Sequence, residues 1–142
     1  MLPIAEFVAT FCGTIFAGVA IYINLVEHPA RMACGTRLAA TVWGPSYKRA
    51  TAMQAPLALL SFLAGVLAWA LGAGDLWLVG AVLIGLAIPF TFIVIMPTNR
   101  QLQTPGRDLA SAETRALLQK WARLHAVRSL LSLVAAVIFL SQ

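Results

Sequence analysis

Four stretches of this chain are long and apolar enough to cross a bilayer, and that limits its possible folds more than any other feature. A membrane helix needs about 20 mostly apolar residues. Residues 4–26, 53–72 and 76–96 reach that length, and a shorter run, 124–140, carries His125 and Arg128. Lipid offers no hydrogen-bond partners, so each run must satisfy its own backbone, which reads as a helix. Composition agrees. The chain is 61% apolar and 11% charged, with a mean hydropathy of +0.86, against roughly 45–50% and about 25% in a soluble domain. That excludes a soluble globular protein, a disordered chain and a secreted disulfide module. The fold class expected is all-α: an integral membrane, antiparallel four-helix bundle forming one domain over residues 1–142.

The helices are expected at about 4–26, 53–72, 76–96 and 112–140. The fourth should start well before its apolar run. Asp108 or Ser111 can cap it, and Glu113 would sit in its first turn, where the helix dipole favours an acid. It would then extend into the cytoplasmic interface. No Lys or Arg precedes the first run, which is also longer than a signal-peptide core, so it reads as a retained membrane helix. Cys12 and Cys34 lie at opposite ends of one helical stretch and should not pair.

The net charge is +5, yet the basic residues argue for topology rather than nucleic-acid binding. Arg31, Arg37, Lys48 and Arg49 lie between the first and second runs. Arg100, Arg107, Arg115, Lys120 and Arg123 lie between the third and fourth. Neither terminus nor the turn at 72–75 has a basic side chain. Both long loops should therefore face the cytoplasm. In a bacterium that places the protein in the inner membrane with both termini periplasmic. The bilayer is the one macroscopic partner expected. Gly13/Ala17 and Ala81/Gly85 are small-xxx-small pairs, which serve packing within the bundle or a homodimer face.

Ionisable groups inside a membrane are costly and mark function by default. Asn24, Glu27, His28 and Arg31 share one stripe at the end of the first helix. Trp121, His125 and Arg128 share another at the start of the fourth. Asn99 and Arg100 follow the third helix, Gln54 opens the second, and Trp43 and Tyr47 just precede it. All converge on the cytoplasmic end. Snorkelling explains Arg37, Lys48, Arg49, Arg107, Arg115 and Lys120. It does not explain Arg128, a full turn inside an apolar run, whose expected partner is Glu27.

Two imidazoles and a carboxylate, from His28, His125 and Glu27, suit non-haem iron, and two histidines on different helices suit haem. Either is a minority alternative, because no diagnostic motif accompanies them. Phosphate loops, nucleophile elbows and ion pathways of paired acids find no match in the sequence.

The run Asn24-Leu25-Val26-Glu27-His28-Pro29-Ala30-Arg31 resembles the signature of the DUF1772, or anthrone oxygenase-like, membrane proteins. So do Pro97-Thr98-Asn99-Arg100-Gln101-Leu102 and Trp121-Ala122-Arg123-Leu124-His125-Ala126-Val127-Arg128. The resemblance covers nearly the whole chain. It implies, for some members, conversion of a polycyclic anthrone to an anthraquinone with molecular oxygen as co-substrate and no metal or flavin. Many members have no assigned reaction, so membership does not fix one.

The residues suit that chemistry. His125 or His28 can act as base, and Arg128, Arg31 and Asn99 can hold an oxyanion, with Arg100 among the substrate-binding residues. Trp121, Trp43 and Tyr47 can stack on a flat hydrophobic ring, with Gln54 and Glu27 beside it. His125 is preferred as base, because Pro29 should bias His28 out of helical geometry. The rival reading is a non-enzymatic inner-membrane binding protein whose polar cluster locks the bundle.

Overall fold

A computed structural model describes residues 1–142. It contains four long helices: α1 Leu2–Ala33, α2 Thr36–Ala70, α3 Asp75–Leu102 and α4 Ala112–Leu140. Consecutive helices run antiparallel. α1 and α3 each pack against both α2 and α4, so the four form a square with little contact across its diagonals. Only 28–39% of each span's most apolar stretch is buried within the protein. The rest, including Phe7, Leu25, Phe92, Ile93 and Leu130, points outward. An outward apolar surface on helices of this length is what a bilayer protein requires. The chain is an integral membrane protein.

Three helices outrun their apolar stretches, which corrects the expected boundaries. α1 continues seven residues past 26, α2 begins at Thr36 rather than 53, and α3 continues through Pro97 to Leu102. Hydropathy reports the part of a helix that faces lipid, whereas these extensions are held by packing on one another. Ile23, Ala39, Trp43, Ile95, Leu102, Leu117, Leu118 and Trp121 form an apolar cluster there, with one or more residues from every helix. Trp43 and Tyr47 therefore sit within α2 and not before it, and Gln54 lies well inside the helix and not at its opening. Ser111 caps α4, its Oγ accepting the Thr114 backbone N–H at 3.1 Å. Asp108 stays in the loop, where its carbonyl accepts the Thr114 hydroxyl.

The prolines explain two local distortions. A proline ring clashes with the carbonyl four residues back and has no N–H to give it. For Pro29 and Pro97 those carbonyls belong to Leu25 and Ile93. Both lie in the middle of a π-helical turn, Ile23–Glu27 in α1 and Thr91–Ile95 in α3. Widening the turn relieves the clash and lets the helix continue. His28 is consequently helical, with φ −67° and ψ −45°. The expected departure from helical geometry before Pro29 does not occur.

A second cluster fills the other end of the bundle: Ala5, Ala9, Phe16, Ala58, Ala64, Ala68, Trp77, Ala81, Ile84, Ala87, Ala135 and Phe139. Its many alanines bring the backbones close, and Phe139 occupies the space that glycines leave. It stacks on Trp77 at 5.4 Å. A Cβ on Gly80 would lie 2.6 Å from its Cε1, and one on Gly13 3.3 Å from its Cδ2. These glycines thus serve packing inside one chain. Gly80→Val is expected to lower stability by about 2–3 kcal/mol, as overpacking does. Gly18 has open space around it, so Gly18→Val should leave the unfolding midpoint in detergent nearly unchanged. Equal midpoints for the two variants would contradict this packing.

Candidate functional site

Between the two apolar clusters lies a layer of polar side chains: Asn24 from α1, Gln54 from α2, Thr91 from α3, and His125, Arg128 and Ser129 from α4. The sequence placed Asn24, Gln54, His125 and Arg128 at the end of the bundle. They are interior instead, because the helix extensions close over them with the Trp43–Trp121 cluster.

Asn24 is the junction of the layer. Its Nδ2 donates to the Ala122 carbonyl at 3.0 Å. That fixes its Oδ1 toward α4, where it accepts from Ser129 Oγ at 2.5 Å and His125 Nδ1 at 2.6 Å. On the other side of the ring, Arg128 Nη2 lies 2.7 Å from His125 Nε2 and 2.8 Å from Gln54 Oε1. An arginine can only donate. His125 Nε2 is therefore the acceptor, and the ring is neutral with its proton on Nδ1. The Arg128 guanidinium also sits 5.4 Å from the Phe16 ring centroid.

Arg128 has no carboxylate partner. The expected Glu27–Arg128 pair is absent: Glu27 Oε1 accepts from Ser46 Oγ at 2.6 Å and lies 3.6 Å from Arg31. The π turn accounts for this. Its extra residue rotates Glu27 away from the Asn24 stripe and toward α2, so the even helical spacing read from the sequence does not hold across it. A guanidinium in the bundle interior, held by two neutral acceptors, is a positive charge without a protein counter-ion.

His28 is buried and packs on Trp121, ring centroids 5.2 Å apart, while Trp121 lies 4.8 Å from His125. Both imidazoles thus share one indole. Arg31 lies 5.9 Å from the centroid of the same ring. Trp43 stacks on Tyr47 at 5.2 Å and meets Trp121 edge-on at 5.9 Å. The faces of Trp43 and Trp121 are largely taken up by protein neighbours, and only Tyr47 remains part-exposed as a stacking surface.

Asn99 is fully buried on the stripe of Ile95 and Leu102. Arg100 points outward and does not join the site, since Pro97 continues α3 as helix and carries position 100 to its exposed side. Several buried donors have no partner: one side-chain N–H or more on Arg31, Trp43, Gln54, Asn99, Trp121 and Arg128. Neither ring nitrogen of His28 has one either.

Two cavities adjoin the layer. A polar one of about 20 Å³ is lined by Arg31, Trp43, Tyr47, Gln54, Trp121, His125 and Arg128, together with Ser46, Thr51 and Thr91. Glu27, His28, Asn99 and Arg100 do not line it. An apolar one of about 90 Å³ shares Tyr47, Thr51, Gln54, Thr91 and Arg128 with the first. The sequence set Asn24 on the converging polar stripe without giving it a role, and did not bring Ser129, Thr51, Thr91 or Phe16 to the site. Ser129 was legible as the next stripe position after His125. Thr91 was not, since its place follows from the π turn.

As to metals, no three His, Cys, Asp or Glu side chains gather to hold an ion. Of the His28, His125 and Glu27 set, His125 already uses both nitrogens, and Glu27 is engaged by Ser46 and Arg31. That donor set does not fit a resident iron. Cys12 and Cys34 are both free.

Fold and site together define a small membrane-embedded helical bundle with an internal, cationic polar layer. Residues 43–138 match the anthrone oxygenase family, and the chain belongs to that family. Anthrone oxygenase tpcL of Aspergillus fumigatus is 42% identical over 74 residues, which cover 50% of this chain and 46% of that protein. The chain thus spans about half the length of the curated relative it matches. No solved structure matches it.

Proposed function

We propose that this protein is a cofactor-independent oxygenase that converts a hydrophobic anthrone or related phenolic compound to its quinone with molecular oxygen. The observation that carries the reading is the uncompensated Arg128 guanidinium, which donates at 2.7 Å to the unprotonated Nε2 of a neutral His125 at a cavity wall. An anthrone reacts with oxygen once it has lost a proton to give an enolate. A substrate enol that displaces the Arg128–His125 hydrogen bond would donate its O–H to His125 Nε2 and accept from Arg128. Proton transfer then leaves an oxyanion between two cations, held by Arg128 in a water-poor site. Asn24 supports the imidazolium through Nδ1–H. The enolate carbon combines with oxygen and, with the proton returned, gives a hydroperoxide. Loss of water from that hydroperoxide forms the new ketone, so one oxygen atom enters the product and one leaves as water. His28 lines neither cavity, which favours His125 as the base.

The protein would lie in a bacterial inner membrane with its termini periplasmic and the Trp121 end of the bundle cytoplasmic. The loop charges support this. The binding-protein reading draws on one observation: at about 20 Å³ the polar cavity holds water but no ring. Purified protein supplied with an anthrone should consume oxygen and form the quinone, with no Soret band in its visible spectrum. His125→Ala should lower turnover by about 10²–10⁴-fold, the usual contribution of a general base. Undiminished turnover in folded His125→Ala protein would remove His125 from the mechanism. No oxidation of any anthrone by the parent protein would put the binding-protein reading ahead.

A further inference from the structure

The apolar cavity does not belong to the bundle core alone. It is a slot between α2 and α3, with an outer lip and an inner floor. Thr51 and Ala55 on α2 and Phe92 on α3 form the lip, and all three are exposed, Phe92 by 65%. Ala58 and Ala87 line it farther in and are each 2% exposed, with Phe16 beside them. At its polar side stand Gln54 and Arg128, which also line the inner polar cavity. Gln54 is 2% exposed, its Nε2 has no partner, and neither has Arg128 Nε. A slot for lipid alone would not need buried N–H groups at its inner end, because unpaired donors in an apolar site are costly.

We infer that this slot between α2 and α3 is a lateral portal and ring-binding subsite for a flat polycyclic aromatic ketone or phenol, taken directly from the bilayer. The oxygenated edge goes in first, accepting hydrogen bonds from Gln54 Nε2 and Arg128. The far rings stay against lipid. Size requires this arrangement: a cavity of about 150 Å³ encloses a single benzene, and the slot has about 90 Å³. Thr91 and Phe92 of the π turn form part of the α3 wall, and Ala58 and Ala87 set how far a ring can enter. The inference rests on the oxygenase reading only for what happens to the ring after binding.

The test is cysteine protection on the full-length protein in liposomes. Cys34→Ser removes the exposed native thiol and Cys12 is buried, so Ala55→Cys reports on the lip. Leu60→Cys, exposed elsewhere on α2, is the control. Both are labelled with a membrane-permeant maleimide in the presence of anthraquinone, of anthracene, or of added oleate, at equal concentrations in the bilayer. Anthraquinone should slow labelling at 55 about tenfold more than anthracene, the preference expected from hydrogen bonds to the ketone. Labelling at 60 should not change. Ala55→Phe, which narrows the lip from its exposed side, should raise KM for an anthrone about tenfold with kcat retained.

Equal protection by oleate would make the slot a lipid site and overturn the inference. Equal protection by anthracene would overturn the role of the two donors. Turnover of an anthrone without protection at 55 would overturn the portal and leave the oxygenase reading standing. Protection by anthraquinone without turnover would uphold the subsite while the oxygenase reading fails.

Discussion

Arg128→Gln is expected to lower anthrone turnover by about 10²–10³-fold, the loss seen when one oxyanion donor is removed from an enzyme site. The stability of the bundle should hold or rise. Arg128 is a guanidinium between two apolar clusters with no carboxylate in reach. Its attachments are His125 Nε2, Gln54 Oε1 and the Phe16 ring. A charge held this way costs the folded protein more than a neutral amide would, because neutral acceptors offset only part of its lost hydration. A glutamine amide can still donate within the layer. Steady-state kinetics and an unfolding midpoint in detergent separate the two effects. A sharp fall in midpoint with activity per folded molecule unchanged would make Arg128 a structural clamp and end its role as anion holder.

Asn24→Leu should differ in its effect on stability, costing stability as well as rate. Its amide joins α1 to three groups of α4: the Ala122 carbonyl, the Ser129 hydroxyl and His125 Nδ1. Leucine leaves the Nδ1–H without its acceptor in a lipid-surrounded interior, while the Ser129 hydroxyl keeps the His125 carbonyl at 3.1 Å. One orphaned group is worth about 1–3 kcal/mol. The rate should fall about 10–100-fold, as when the partner that orients a metal-bound histidine is removed. Asn24 touches no reacting atom in this scheme. Its effect runs through the His125 tautomer, so the decisive readout is nitrogen NMR of labelled histidine. In the parent the proton of His125 should sit on Nδ1. In Asn24→Leu the two tautomers should mix, which a merely structural loss would not produce. An unmixed tautomer beside a reduced rate would remove Asn24 as the positioning residue.

Much of this architecture was legible because the bilayer imposes it. Apolar runs about 20 residues long can only be helices there, and Ser111 with Glu113 marked the start of α4. His125 and Arg128 were legible as functional candidates for a related reason. A charge or imidazole within an apolar run has no solvent to explain it. The family signature at 24–31, 97–102 and 121–128 pointed to the same residues, and residues 43–138 match the anthrone oxygenase family.

The helix ends, the pairing of the charges and the depth of the site were decided only by tertiary structure. Thr36–Met53 carries no uniform apolar run, and it is helical because Ala39 and Trp43 pack against α3 and α4. Glu27 and Arg128 carry opposite charges at suitable sequence positions, yet they do not meet. Pro29 forces a π turn that shifts the register by one residue between Asn24 and His28. Helical periodicity read along a sequence assumes an unbroken turn, and two prolines break it here. Arg100 was drawn into the site on the assumption that Pro97 ends the third helix; the continuing helix carries it outside. Hydropathy sets which residues can lie in lipid, because transfer from water acts on each side chain separately. Which polar groups face one another depends on how four helices pack and how two of them locally widen, and no single segment contains that information.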